Sequence, residues 1–524
     1  MNRVRQFAIF ALLLLGVLLL PGCASLPEGF EREAVSRLET ADTRLAQAFT
    51  AVANLHPGQS GVYPLGTGME ALAARVALVR LAEKSLDVQY YIWHSDDSGR
   101  LLLKELLDAA DRGVRVRLLL DDLGVGAADD DVLLDIDAHP RVSVVLFNPI
   151  ALRESRTLGL VTDSRRLNRR MHNKSMTADN TVTVVGGRNI GDEYFSLDEL
   201  VNFADMDVLA IGPVANEVAV SFDTYWNSEA AIPIKAFHQQ SGAAPSLAEG
   251  RAKLDEAVHQ SSGPYYQAMA ATPLGLQLQA RQLKFSWGKV TALYDSPQKA
   301  QLSHESEVLL EQLGGILGAV KSDLLIVSPY FVPGKAGTAA LVAAAQRGVR
   351  VRVMTNSLAS TDVGAVHAGY KKSRRKLLEG GVELFEMMPR PGIQDEKSKK
   401  LSFSGSSSAS LHAKLFVLDL EQVFIGSMNL DPRSVNINTE IGLLIDIPEL
   451  ASGMQNDLDA LLESACYTVL LEPRNPEKPT GSTELVWVEH RGTEQVRYFT
   501  EPQTTAWQRF KVGFVGLLPV DSQL

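Results

Sequence analysis

The chain has 524 residues, 45% of them apolar and 22% charged, with a formal charge of −11 and two cysteines. Ordinary globular composition at a length of two or three domains excludes a disordered chain, a coiled coil and a collagen-like repeat. A single long apolar run excludes a polytopic membrane protein, two cysteines exclude a disulfide scaffold or a Cys-based zinc cluster, and the acidic balance argues against a nucleic-acid binder.

In chain order, residues 1–22 read as a signal peptide of lipoprotein type. Arg3 and Arg5 precede the apolar run Phe7 to Leu20, which is short for a bilayer span but right for a signal core. The run ends in Leu20-Pro21-Gly22-Cys23, where a small residue before cysteine resembles a bacterial lipobox. Cleavage before Cys23 and lipidation of that residue are expected. Ala24 follows, and by the rule for such lipoproteins the outer membrane is favoured over the inner one. Either membrane would keep the chain anchored in a bacterial cell envelope.

Beyond the leader the chain repeats itself. Ala109-Ala110-Asp111-Arg112-Gly113-Val114-Arg115-Val116-Arg117 recurs as Ala344-Ala345-Gln346-Arg347-Gly348-Val349-Arg350-Val351-Arg352. Each copy follows a strand pattern (86–93 and 324–327) and a helical pattern (99–112 and 337–347), and each glycine stands where a helix C-cap is expected. Strand, helix, strand implies parallel pairing. The predicted fold class is therefore α/β, with two pseudo-twofold-related halves: 23–238, a Gln/Ser/Ala/Gly-rich linker at 239–263 ending in the breakers Ser261-Ser262-Gly263-Pro264, and 264–470. Residues 471–524 are expected to form a tail with a hairpin and an amphipathic segment. The Ser/Lys-rich stretch 396–410 reads as a solvated loop or a lid.

A second repeat is polar. His172, Lys174, Asp179, Gly186 and Asn189 recur as His412, Lys414, Asp419, Gly426 and Asn429, all displaced by 240 positions. On a strand, His and Lys two apart share one face. Asp179-Asn180 opens a hairpin turn, and the glycines allow close backbone approach. Two lysines and two asparagines suit one phosphodiester, holding its oxygens and the charge of a pentacovalent state. Two histidines suit a two-step displacement, one as nucleophile and one as acid and then base. The lysines supply the positive charge, so no metal and no cofactor is implied. Asp205 and Glu440 are the expected histidine-orienting carboxylates, each for the histidine of its own half, with Asp207 a rival to Asp205. Asp179 and Asp419 lie an odd number of residues from the histidines and read as turn or salt-bridge residues. The remaining histidines default to structural or exposed roles, with His94 and the aromatics around it as candidates for the pocket mouth. Which histidine is the nucleophile stays open on these grounds.

The double His-Lys-Asp motif resembles that of the phospholipase D superfamily. Leu167-Asn168-Arg169-Arg170-Met171-His172-Asn173-Lys174, Asp87 to His94, Gly186 to Tyr194 and the terminal Leu518 to Leu524 look like its bacterial cardiolipin synthase C branch. The resemblance implies that His172 forms a phosphohistidine, that His412 is the general acid, and that Asp179 and Asp419 support catalysis as motif members. It implies a phosphatidyltransferase that makes cardiolipin from phosphatidylglycerol, or from phosphatidylethanolamine with phosphatidylglycerol, at a membrane surface. No nucleic acid is expected as partner, and the sequence is silent on a helper protein. The alternative is a phospholipase D-type hydrolase, with a nuclease less favoured. Gly187 stands where the family often has the serine that Ser427 keeps. Arg153, Arg156, Arg165, Arg166, Arg169 and Arg170 form a basic cluster fitting an anionic headgroup or structural ion pairs. Trp507, Phe510, Phe514, Leu517 and Leu518 recur at near-helical spacing, as a core-packing or lipid-facing stripe.

Overall fold

The computed structural model describes residues 26–30, 37–126, 129–153, 155–197, 202–238, 245–280, 282–301, 309–389, 409–474 and 482–516. The signal peptide, Cys23, residues 396–408 of the Ser/Lys-rich stretch, and Leu517 and Leu518 lie outside them.

Each half is built on three parallel strands joined by helical crossovers. Ser85–Tyr90, Arg115–Asp121 and Val142–Phe147 pair in the first half; Asp323–Val327, Arg350–Asn356 and Glu383–Met387 pair in the second. The crossover helices Asp97–Asp111 and Gly334–Gln346 end at Gly113 and Gly348, whose φ values of 100° and 94° are the left-handed conformation expected of a helix stop. The alternating arginines of the repeat enter the sheet and bring their own counter-charges. Buried Arg117 pairs with Asp87 on the adjacent strand at 2.7 Å, and Arg352 pairs with Asp323 at the same distance.

Antiparallel strands complete each half: Ser175–Ala178, Val182–Gly186 and Asp207–Ile211 in the first, Leu415–Leu418, Gln422–Gly426 and Ile441–Asp446 in the second. Ser60–Leu65 continues the first set and Ser286–Tyr294 the second, and these two strands pair with each other. The halves thus share one sheet of 18 strands. An apolar cluster containing Val185, Val208, Val417, Val423 and Ile425 spans the seam. Burial along this seam fixes one half against the other.

The predicted linker is different from expectation. Residues 247–271 form one helix that runs straight through Ser261-Ser262-Gly263-Pro264. Ser246 caps it, and Leu254 and Val258 enter the first-half core. Tyr265 and Tyr266 donate to Asp97 and Glu105. Tertiary packing overrides the breakers here. The boundary at 263/264 falls inside this helix. The tail is likewise integrated: Cys466–Pro473, Thr483–Arg491 and Glu494–Tyr498 extend the second-half sheet beyond Glu383–Met387. Glu501 is buried against His367 and Arg374. No helix among the described residues is long and apolar enough to cross a membrane.

Candidate active site

The two polar repeats converge at the seam. Each His-x-Lys segment lies between a sheet strand and a short pairing with the other half, so it is a connection rather than part of a strand. Met171 bridges to Thr439, and the backbone N–H of His172 donates to the Thr439 carbonyl at 2.8 Å. On the other side Ala409–Leu411 pairs with Asn202–Ala204, and the His412 N–H donates to the Ala204 carbonyl at 2.8 Å. These cross-half ladders carry Glu440 to His172 and Asp205 to His412.

The histidine-orienting carboxylates are therefore exchanged between halves, which corrects the expectation that each serves its own. His172 Nδ1 lies 2.8 Å from Glu440 Oε2, and His412 Nδ1 lies 2.6 Å from Asp205 Oδ2. All four side chains are buried. With Nδ1–H donated to a carboxylate, each Nε2 is left to act in the pocket. Asp207 is excluded as a rival, because it pairs with buried Arg75 at 2.9 Å and accepts from the Arg188 N–H at 3.1 Å.

Lys174 Nζ donates to the His172 carbonyl at 2.7 Å, and Lys414 Nζ donates to that of His412. Burial pushes Lys174 down to about 7 and Lys414 to about 8. Burial likewise pushes His172 down to about 4, and burial with the Lys414 charge pushes His412 to about 3. Burial would raise both carboxylates, but contact with the facing histidines and the lysine charges outweighs it and holds Asp205 and Glu440 below their usual range. The site at neutral pH holds two carboxylates, two neutral imidazoles and two lysines near their titration points, so a phosphodiester anion would favour protonated lysines.

The two asparagines differ. Asn189 is committed, accepting from the Ile92 N–H at 3.2 Å and donating to the Tyr194 hydroxyl at 2.9 Å. Asn429 is buried and its Oδ1 has no protein partner. The Gly187/Ser427 difference has a steric reason. A Cβ at Gly187 would stand 2.2 Å from Asp205 Oδ1, so the shorter carboxylate reaches its histidine only beside a glycine. In the other half Ser427 donates its hydroxyl to the longer Glu440.

Aromatic walls were only partly legible in advance. The Tyr91 ring meets His172 edge-on at 5.1 Å, while Tyr194 and Phe203 flank His412 at 5.3 and 5.1 Å. His94 is half-exposed and pairs with Glu193 at 3.2 Å. Arg188, missed by sequence reasoning, is buried and donates to the carbonyls of Asp205, Tyr194, Leu65 and Gly66. Its counterpart Met428 is apolar, so no repeat signal marked it.

Asp179 and Asp419 sit in the hairpin turns, with φ of 48° and 53°, and contact neither histidine. Asp179 accepts the N–H groups of Glu83, Lys84 and Ser85 at 2.8 to 3.0 Å, fixing the start of the first parallel strand. Asp419 does the same for Lys321, Ser322 and Asp323. The odd spacing from the histidines has this meaning, and a catalytic contact is not part of it. Asp179→Ala is expected to cost about 2–4 kcal/mol in urea unfolding, since three charge-assisted hydrogen bonds are lost. A pH–rate profile displaced by this variant would contradict the purely structural role.

Of the six arginines, four are in ion pairs: Arg153 and Arg156 with Asp122, Arg166 with Asp163, and Arg170 with Asp121. The Trp507, Phe510 and Phe514 side chains stand about 60% exposed on the helix Ala506–Val515, which is anchored through Val512. These three side chains therefore do not pack on the core.

Comparison with known proteins identifies the family. A family model described as cardiolipin synthase, phospholipase D-like domain matches residues 76–226 and 315–462. The chain is 42% identical to cardiolipin synthase C of Escherichia coli over 484 residues, covering 91% of this chain and 99% of that one. It is 33% identical to an uncharacterized protein of Helicobacter pylori, covering 80% and 82% of the two chains. The crystal structure of phosphatidylserine synthase from Haemophilus influenzae shares the fold, with a TM-score of 0.53 at 16% identity over 80% of this chain and 92% of that one.

Proposed function

This chain belongs to the phospholipase D superfamily, in its cardiolipin synthase-like branch, and from that premise we propose that it makes cardiolipin by transphosphatidylation through a phosphohistidine. The carrying observation is the pair of exchanged His–carboxylate contacts beside two buried lysines. Neutral His172, its Nδ1–H held by Glu440, attacks phosphorus through Nε2. The N–P bond forms as the P–O bond to the departing alcohol breaks. Lys174, Lys414 and Asn429 hold the phosphoryl oxygens, with Asn189 set behind them through Tyr194. Negative charge entering the pocket raises the proton affinity of His412, which then donates its Nε2 proton to the leaving oxygen. In the second step His412 takes the proton of an acceptor hydroxyl, the new P–O bond forms and His172 is released.

Phosphatidylglycerol serves as acceptor, with phosphatidylglycerol or phosphatidylethanolamine as donor. The exposed Trp507, Phe510 and Phe514, with Lys511 over the Trp507 ring at 5.3 Å, suit contact with a lipid surface. A lipid on Cys23 would keep the protein at the envelope membrane, with the outer membrane favoured. The test is mass spectrometry of products from phosphatidylglycerol vesicles incubated with the full-length protein. Cardiolipin is expected. Phosphatidic acid as the sole product would replace the transferase by a phospholipase D-type hydrolase, and cleavage of DNA without lipid turnover would replace it by a nuclease.

A further inference from the structure

Arg165 and Arg169 are not used like their four neighbours. Together with Arg433 of the other half they line a cavity of about 570 Å³. Among the described residues, none of the three forms a salt bridge. Arg433 donates to the side-chain and backbone oxygens of Asn168 at 2.7 and 2.6 Å, and Arg169 donates to the Lys299 carbonyl at 2.6 Å. Neutral acceptors of this kind fix a guanidinium in place without cancelling its charge. Burial and the neighbouring Arg165 charge push Arg169 down, as expected where cations crowd without a counter-ion. Beside them the lining holds the apolar Leu123, Leu160, Leu167 and Ile437, with Ser164 and Asn168 as its other polar members. Leu158 and Val161, on the same short helix as Leu160, are exposed.

The cavity adjoins the chemistry. His172 lies three positions after Arg169, at most about 11 Å of extended chain. Tyr91, whose ring meets His172, lies in the field of Arg433. Fixed positive charge beside hydrocarbon fits a phosphate that carries acyl chains. Transfer between two phospholipids brings two phosphates together, one on the histidine and one retained by the acceptor lipid. The two lysines suit the first.

We infer that Arg165, Arg169 and Arg433 form a second phosphate subsite, which holds the phosphodiester of the acceptor phospholipid while its free glycerol hydroxyl reaches the phosphohistidine. This rests on the phosphatidyltransferase reading. Such a subsite gives a lipid alcohol an advantage over water and free glycerol, because the acceptor is held by a phosphate that those molecules lack.

The experiment uses the full-length protein with phosphatidylglycerol vesicles in ¹³C-labelled glycerol, so that cardiolipin and labelled phosphatidylglycerol report the two acceptors. In the variant carrying Arg165→Gln, Arg169→Gln and Arg433→Gln, the ratio of cardiolipin to labelled product is expected to fall about tenfold or more, as for loss of charge-assisted hydrogen bonds. Arg165→Gln alone changes an exposed side chain outside the fold's ion pairs and is expected to lower the ratio by a smaller factor. A ratio unchanged in both variants overturns the subsite. Calorimetry with dihexanoylphosphatidylglycerol separates this from failure of the transferase reading. If the wild type makes no cardiolipin yet binds the short-chain lipid about tenfold more tightly than the triple variant, the reading fails and the subsite stands. Equal binding overturns the subsite. Inorganic phosphate, titrated in parallel, is expected to bind more weakly than the lipid, and equal affinity would make this a free-phosphate site and overturn the lipid assignment.

Discussion

Replacing His172 by alanine is expected to lower phosphatidyl transfer by about 10⁴-fold or more, the loss that follows removal of a nucleophile acting as part of a unit. His412→Ala is expected to be nearly as damaging with natural lipids, so the two variants must be separated by the step each blocks. A donor with a p-nitrophenyl headgroup leaves without protonation. With it, the His412 variant should still form the N–P bond and accumulate a phosphatidyl-enzyme, because transfer of the phosphatidyl group off His172 needs a base for the acceptor hydroxyl. Acid quenching and peptide mass spectrometry should find the adduct on His172. The His172 variant should give none. An adduct on His412 in the complementary experiment would exchange the two roles without disturbing the geometry from which they were argued.

Glu440→Gln is expected to lower kcat by about 10²- to 10⁴-fold, the range seen when a buried carboxylate no longer fixes its imidazole. Because Glu440 contacts His172 across the seam, the defect should fall on N–P bond formation and persist with the p-nitrophenyl donor. Asp205→Asn should instead resemble loss of His412 and be relieved by that donor. The opposite pattern would mean that each carboxylate serves its own half. The same cluster sets the pH dependence. His172, at about 4, must be neutral to attack, so kcat/KM should rise with pH through that region. Lys174 and Lys414, at about 7 and 8, bind the anion when protonated, so kcat/KM should fall as pH passes those values. The observed limbs belong to the coupled cluster as a whole. A profile still rising at pH 9 would remove the lysines from phosphate binding.

Local signals were readable where sequence position determines contact. The helix stops at Gly113 and Gly348, the hairpin turns at Asp179 and Asp419, and the parallel units all depend on neighbours a few residues apart. The residues that meet in the candidate site were legible because their pattern occurs twice. The partner of each histidine was not, because spacing along one chain suggests a local carboxylate while the short cross-half ladders bring in the distant one. Residues 247–271 misled for a related reason. Ser-Ser-Gly-Pro lowers intrinsic helix propensity, and only the packing of Leu254 and Val258 against the first-half core reveals why the helix persists. Arg188 carried no signal at all, since its importance lies in the backbone carbonyls that it gathers. The arginine cluster looked uniform in sequence and divided in space into four structural cations and two that remain with Arg433 around a cavity.

The exchange of carboxylates bears on descent. A half-length chain with one motif could complete neither histidine pair alone, because the imidazole and its carboxylate would sit on different faces of a twofold interface. Two copies would complete both pairs at once. Joining the copies in one chain removes the dependence of activity on concentration and frees each motif from serving both sides of the axis. Gly187 beside a short aspartate and Ser427 beside a long glutamate are then two separate solutions to one contact, of a kind that an identical pair of subunits could not hold together.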